Sequence, residues 1–126
     1  MKIQIISQNA PQAIGPYSQA IRTGNLLFIS GQIPLDKDGN LVEGSIETQT
    51  NQCLNNISEI LKTSGLKIDN VVKTTIFLKD ISNFTEVNKI YGNFFEGTIF
   101  PARSTVEVSR LPKNVDIEIE VIAEFN

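Results

Sequence analysis

Phe100-Pro101-Ala102-Arg103-Ser104-Thr105-Val106-Glu107-Val108 is followed, after a short break, by Ile117-Glu118-Ile119-Glu120-Val121-Ile122. These two neighbouring strand-like runs carry a guanidinium and a carboxylate. A guanidinium holds a small carboxylate bidentately because its planar fork of donors matches the two oxygens. A neighbouring Glu orients or deprotonates water. The combination suggests a pocket for a small 2-oxo or 2-imino acid. The structural alternative is a cross-strand Arg–Glu pair on a wet sheet face, worth roughly 0.2–1 kcal/mol.

Composition narrows the chemistry further. The chain has no histidine and one cysteine, Cys53. Ser-His-Asp and Cys-His catalysis are excluded, and the commonest metal ligand is missing. There is no Walker-type loop and no dinucleotide fingerprint. Catalysis must therefore use carboxylates, Arg, Lys, Tyr, hydroxyls, backbone groups and water, and the expectation is no metal and no cofactor. A net charge of −3 argues against a broad phosphate-binding surface, so a nucleic-acid partner is not expected. The lone thiol and the lack of a secretory signal in Met1–Ser7 point to a reducing cytoplasm. No apolar run is long enough for a transmembrane helix.

Residues 1–126 fit a single domain able to bury one core. Strands are expected at Ile3–Ile6, Ser18–Thr23, Leu26–Ser30, Val71–Leu78, Ala102–Val108 and Asp116–Phe125. Pro11, Gly15 and Pro16 make Asn9–Tyr17 a loop. Gly24-Asn25 reads as a hairpin turn, and Asp38-Gly39-Asn40 as another turn.

A first helix is expected from Ile46 to about Ser64, capped by Ser45 and ended by Gly65. Ile46, Cys53, Leu54, Ile57, Ile60 and Leu61 form its apolar stripe. Cys53 on that stripe reads as a small core side chain. A second helix is expected from about Phe84 to Glu96, with Asn83 and Glu86 as a capping box and Gly97 at its end. Phe84, Val87, Tyr91, Phe94 and Phe95 line its buried face, with Asn88 at the apolar edge.

The order βββαβαββ predicts an α+β fold, a six-stranded mixed sheet with both helices packed on one face. Alternation separates Arg103, Thr105 and Glu107 from Ser104, Val106 and Val108. It likewise separates Glu118 and Glu120 from Ile117, Ile119 and Val121. The polar faces are candidates to converge at an oligomer interface.

Five blocks, Gly15-Pro16-Tyr17-Ser18, Phe28-Ile29-Ser30-Gly31-Gln32, Asn88 through Phe95, Phe100 through Ser104, and Ile117 through Glu120, resemble the Rid (reactive intermediate deaminase, YjgF-like) family, RidA branch, in order and spacing. The resemblance implies a chorismate-mutase-like homotrimer with clefts between subunits. It also implies a 2-iminobutanoate/2-iminopropanoate deaminase, which hydrolyses reactive enamines and imines to 2-oxo acids and ammonia. By position, Arg103 is expected to hold the substrate carboxylate and Glu118 to activate the attacking water. Gly31 is expected to approach the ligand through its backbone, with Tyr17, Ser30, Phe84 and Asn88 shaping the pocket. Thr105, also in the expected pocket, stands where many relatives have Cys. The competing readings are a 2-oxo-acid sensor without turnover, and a ribonuclease or translation inhibitor.

Overall fold

The computed structural model describes all residues, 1–126. Six strands are present: β1 (Lys2–Ile5), β2 (Ala20–Thr23), β3 (Leu26–Gln32), β4 (Val71–Leu78), β5 (Ala102–Glu107) and β6 (Ile117–Glu124). Two α-helices, α1 (Ile46–Thr63) and α2 (Phe84–Phe94), interrupt them in the expected order. The sheet runs β1-β2-β3-β6-β4-β5. Only β4 and β5 are parallel, because α2 carries the chain back across the sheet between them. The Gly24-Asn25 turn joins β2 to β3, with Thr23 opposite Leu26 and Gly24 at φ 58°.

One sheet face is apolar and holds the core. Leu27 and Ile29 of β3, Ile76 and Leu78 of β4, and Ile117, Ile119 and Val121 of β6 are buried there. Cys53, Leu54, Ile57, Ile60 and Leu61 of α1 belong to the same buried cluster, with Val87 and Tyr91 of α2. Both helices therefore pack on this face. Burial raises the Cys53 thiol pKa well above its ordinary value, as desolvation of a thiolate requires.

The helix ends follow local chemistry, with one correction. Ser45 Oγ accepts from the Thr48 N–H at 3.2 Å and caps α1, while Gly65 takes a left-handed φ of 77° after it. The expected capping box at Asn83 is absent. Asn83 has φ −80° and ψ −1°, and its side chain makes no capping bond. The chain already coils through a 3₁₀ turn at Ile81–Asn83, and Asp80 caps that turn by accepting from the Ser82 N–H at 2.9 Å. Helix α2 ends at Phe94, two residues earlier than expected, and Gly97 supplies the left-handed φ of 84°.

Candidate functional site

Strand β5 places Arg103 at the sheet edge beside α2. Its parallel register pairs Thr74 with Arg103 and Ile76 with Thr105. Since Ile76 is core, Arg103 and Thr105 share the helix-covered face. Phe84, Asn88 and Tyr91 lie four and three residues apart, on one stripe of α2. That stripe cradles the guanidinium. Arg103 Cζ lies 5.4 Å from the Phe84 ring centroid and 4.8 Å from that of Tyr91. Arg103 Nη1 donates to Asn88 Oδ1 at 2.6 Å.

No carboxylate neutralises this cation within the chain, whose one ion pair is Lys62–Glu59. Asn88 is also its only hydrogen-bond partner. Most of the guanidinium donors are thus free to meet an anion in the adjoining open cavity of about 400 Å³, lined by Asn88, Tyr91, Gly92, Phe100, Pro101 and Arg103. Thr105 lies one pleat further along. Its Oγ1 is buried without a partner, and the residue does not line this cavity.

Glu118 stands on the other side of the sheet. It pairs with Phe77 of β4, whereas the core residue Ile119 pairs with Ile76. Strand β4 also separates β5 from β6. The cross-strand Arg–Glu pair is thereby excluded, and the two groups do not meet within one chain.

Half-buried Glu118 lines a second cavity of about 580 Å³ with Tyr17, Ser30, Gly31, Gln12, Ile14, Lys113 and Glu120, among others. A register shift between Ile29 and Gln32 bends β3 at Ser30-Gly31. The bend brings the Gly31 backbone against the Glu118 carboxylate. A Cβ on Gly31 would collide with Glu118 Oε2 and lie 2.8 Å from Cδ. Gly31 is therefore open for Glu118 itself, a reason that reading the residue as a ligand contact had not supplied.

The loop bearing Tyr17 is tied down by buried Gln19. Gln19 Oε1 accepts from the Ser7 N–H at 2.6 Å, and Nε2 donates to the Pro11 carbonyl at 2.8 Å. Tyr17 remains exposed at the cavity mouth, its hydroxyl accepting from the Ile14 N–H at 3.4 Å. Ser30 Oγ donates to the Ser18 carbonyl at 2.6 Å, so its proton is committed to the scaffold.

Burial raises the Glu118 pKa above its ordinary 4.5, and the like charge of Glu120 raises it further. A raised value makes the carboxylate a stronger base and lets it hold the proton it takes.

The expected site residues thus separate into two groups, with Thr105 lining neither cavity. Arg103, Phe84 and Asn88 meet at the α2–β5 edge, whereas Tyr17, Ser30, Gly31 and Glu118 meet on the open sheet face. Tyr91 had been placed only on a buried helix face. Its signal was its position seven residues after Phe84 and three after Asn88. Phe100 was legible only as part of a motif, and Gln12, Ile14 and Lys113 had no distinguishing signal.

A sequence model of the family described as Endoribonuclease L-PSP matches residues 7–125. The chain belongs to the YjgF/Rid family. It is 54% identical over 98% of both chains to a RutC family protein of Pyrococcus horikoshii. It is 47% identical, again over 98% of both, to the 2-iminobutanoate/2-iminopropanoate deaminase of Escherichia coli. Among solved structures, a Rid-family protein of Yersinia pestis superposes with a TM-score of 0.97 at 56% identity, covering 99% of this chain and 100% of that one. The E. coli TdcF structure with bound serine superposes with a TM-score of 0.95 at 37% identity, covering 98% of this chain and 99% of that one. The Rid fold is thus the six-stranded mixed sheet with two helices described above.

Proposed function

We propose that this Rid protein is a 2-iminobutanoate/2-iminopropanoate deaminase, hydrolysing reactive imines to 2-oxo acids and ammonia. The observation that carries the reading is an arginine held in place by neutral groups alone. Phe84, Tyr91 and Asn88 orient Arg103 and leave its charge for a ligand. A short carboxylate satisfies that charge bidentately. The 47% identical E. coli relative carries the corresponding activity in its name.

Hydrolysis then needs a base facing the imine carbon. Glu118 takes a proton from water as the water oxygen bonds to C2 of the protonated imine. The resulting carbinolamine receives that proton on nitrogen; as the C–N bond breaks, the hydroxyl proton passes through Glu118 to the departing ammonia, which leaves as ammonium with the 2-oxo acid behind. The carboxyl returns to its starting state. Orientation and proton transfer suffice for a substrate this electrophilic.

The sheet lies between the two half-sites, so a complete site requires a second copy. The α2–β5 edge of one subunit meets the Tyr17–Gly31–Glu118 face of the next. This head-to-tail contact closes as a ring, and three subunits give a trimer with three equivalent sites. Phe28 and Val106, exposed in the isolated chain, support burial of further surface in the assembly.

The test is a coupled assay in which a pyridoxal-phosphate dehydratase generates the imine and 2-oxo acid release is followed. Arg103→Ala and Glu118→Gln should each be inactive. Unfolded together and refolded at equal amounts, they should regain roughly a quarter of wild-type sites, those taking Arg103 and Glu118 from different parents. No recovery in mixed trimers would refute the shared site. Binding of 2-oxobutanoate without any acceleration would make the protein a sensor.

A further inference from the structure

Tyr91 is the one member of the Arg103 cradle with a second attachment inside the protein. Its hydroxyl lies 2.7 Å from Thr74 Oγ1 in a buried hydrogen bond. Thr74 is the residue beside Arg103 in the β4–β5 register. The strand that pairs with the Arg103 backbone therefore also fixes the ring beneath its guanidinium. Phe95 braces the ring from within the core, with centroids 4.7 Å apart and planes inclined at 49°.

We infer that Tyr91, locked by Thr74, is a positioning residue that sets the plane in which Arg103 presents its donors to a carboxylate. The inference rests on the reading of Arg103 as the carboxylate holder. Three features support it. The guanidinium has only one hydrogen bond of its own, to Asn88, and a single bond leaves rotation about it free. Of the two rings, Tyr91 lies closer to Arg103 Cζ than Phe84 does. Tyr91 is buried, whereas Phe84 packs only partly against the core. A fixed ring removes the remaining rotation and pre-orients the fork for two parallel hydrogen bonds.

The prediction concerns selectivity for charge. Pre-orientation favours a ligand with two anionic oxygens and does little for its neutral ester. Dissociation constants for 2-oxobutanoate and its methyl ester, measured by calorimetry on the folded oligomer, give an acid-over-ester preference. Tyr91→Leu should lower that preference about tenfold by removing the ring. The Thr74→Val/Tyr91→Phe double variant keeps the packing and leaves no hydroxyl unpaired. It should lower the preference about threefold with its melting temperature held, because the ring remains but its tether is gone.

A merely structural role would weaken acid and ester alike, and equal weakening would overturn the inference. So would an unchanged preference in both variants, provided Arg103→Ala abolishes the preference. If Arg103→Ala itself keeps the preference, the carboxylate reading fails, and the role of Tyr91 fails with it.

Discussion

Gly31→Ala isolates the placement of Glu118 from everything else in the fold. The new Cβ would lie 2.8 Å from Glu118 Cδ, and ordinary contact begins near 3.4 Å. The carboxyl carbon must therefore retreat by about 0.6 Å, and Oε2 by more. The obstacle is the far end of a flexible side chain, so the retreat costs the fold little. Gly31 is not among the glycines with positive φ, and alanine fits its backbone. Restricting the unfolded chain should even stabilise by about 0.4–1 kcal/mol, offsetting the displaced carboxylate. Catalysis responds differently. Misplacement of a reacting group by about 1 Å costs on the order of 10²-fold, or about 2.7 kcal/mol of barrier. The expected outcome in the dehydratase-coupled assay is a kcat/KM lowered about 10²-fold, with the thermal midpoint within a few degrees of wild type. Activity within threefold of wild type would refute the reasoning, because the base would then tolerate displacement. Loss of both activity and midpoint would assign Gly31 to folding instead.

Four further outcomes follow from the same geometry. Asn88→Asp should weaken 2-oxobutanoate binding by tenfold or more, since a carboxylate at 2.6 Å would neutralise Arg103 in place of the ligand; calorimetry checks it. The acid limb of kcat/KM against pH should lie above the ordinary carboxylate range, because Glu118 must be ionised to take a proton and burial raises its pKa. Glu120→Gln removes the neighbouring like charge and should move that limb to lower pH, as a pH–rate profile will read. Glu118→Gln should raise the melting temperature at pH 7 while abolishing turnover. Folded Glu118 holds its proton more tightly than unfolded Glu118, so its contribution is present below its ordinary 4.5 and is lost as pH rises through the folded value. The gain from Glu118→Gln should therefore vanish in acid, and thermal melts at pH 4 and pH 7 test the sign.

What the sequence made legible, and what it did not, divides along a physical line. Period-2 alternation in β6 and the 3.6-residue stripe of α1 are local signals, and they located the core face and the helix that covers it. Ser45, Gly65 and the Gly24-Asn25 turn are equally local. Asn83 misled because the side chain that starts the turn is Asp80, three residues earlier, and a 3₁₀ turn leading into a helix displaces the cap. Arg103 and Glu118 were found as residue types, but their relation was not. They lie on successive strands of the chain, yet β4 is inserted between those strands in the sheet, and each points to a different face. Strand order is a non-local property that alternation within a strand cannot encode. Gly31 shows the same limit at closer range, since the space it leaves is filled by a residue 87 positions later. The separation of the two groups also explains why a histidine-free chain can keep an unpaired Arg103 and a half-buried Glu118 without their quenching each other. Within one subunit the sheet keeps Arg103 and Glu118 on opposite faces and prevents an ion pair between them, and in the assembly we propose, the two charges approach one reacting molecule where subunits meet. If subunit dissociation left turnover per chain unchanged, that division of labour would be wrong.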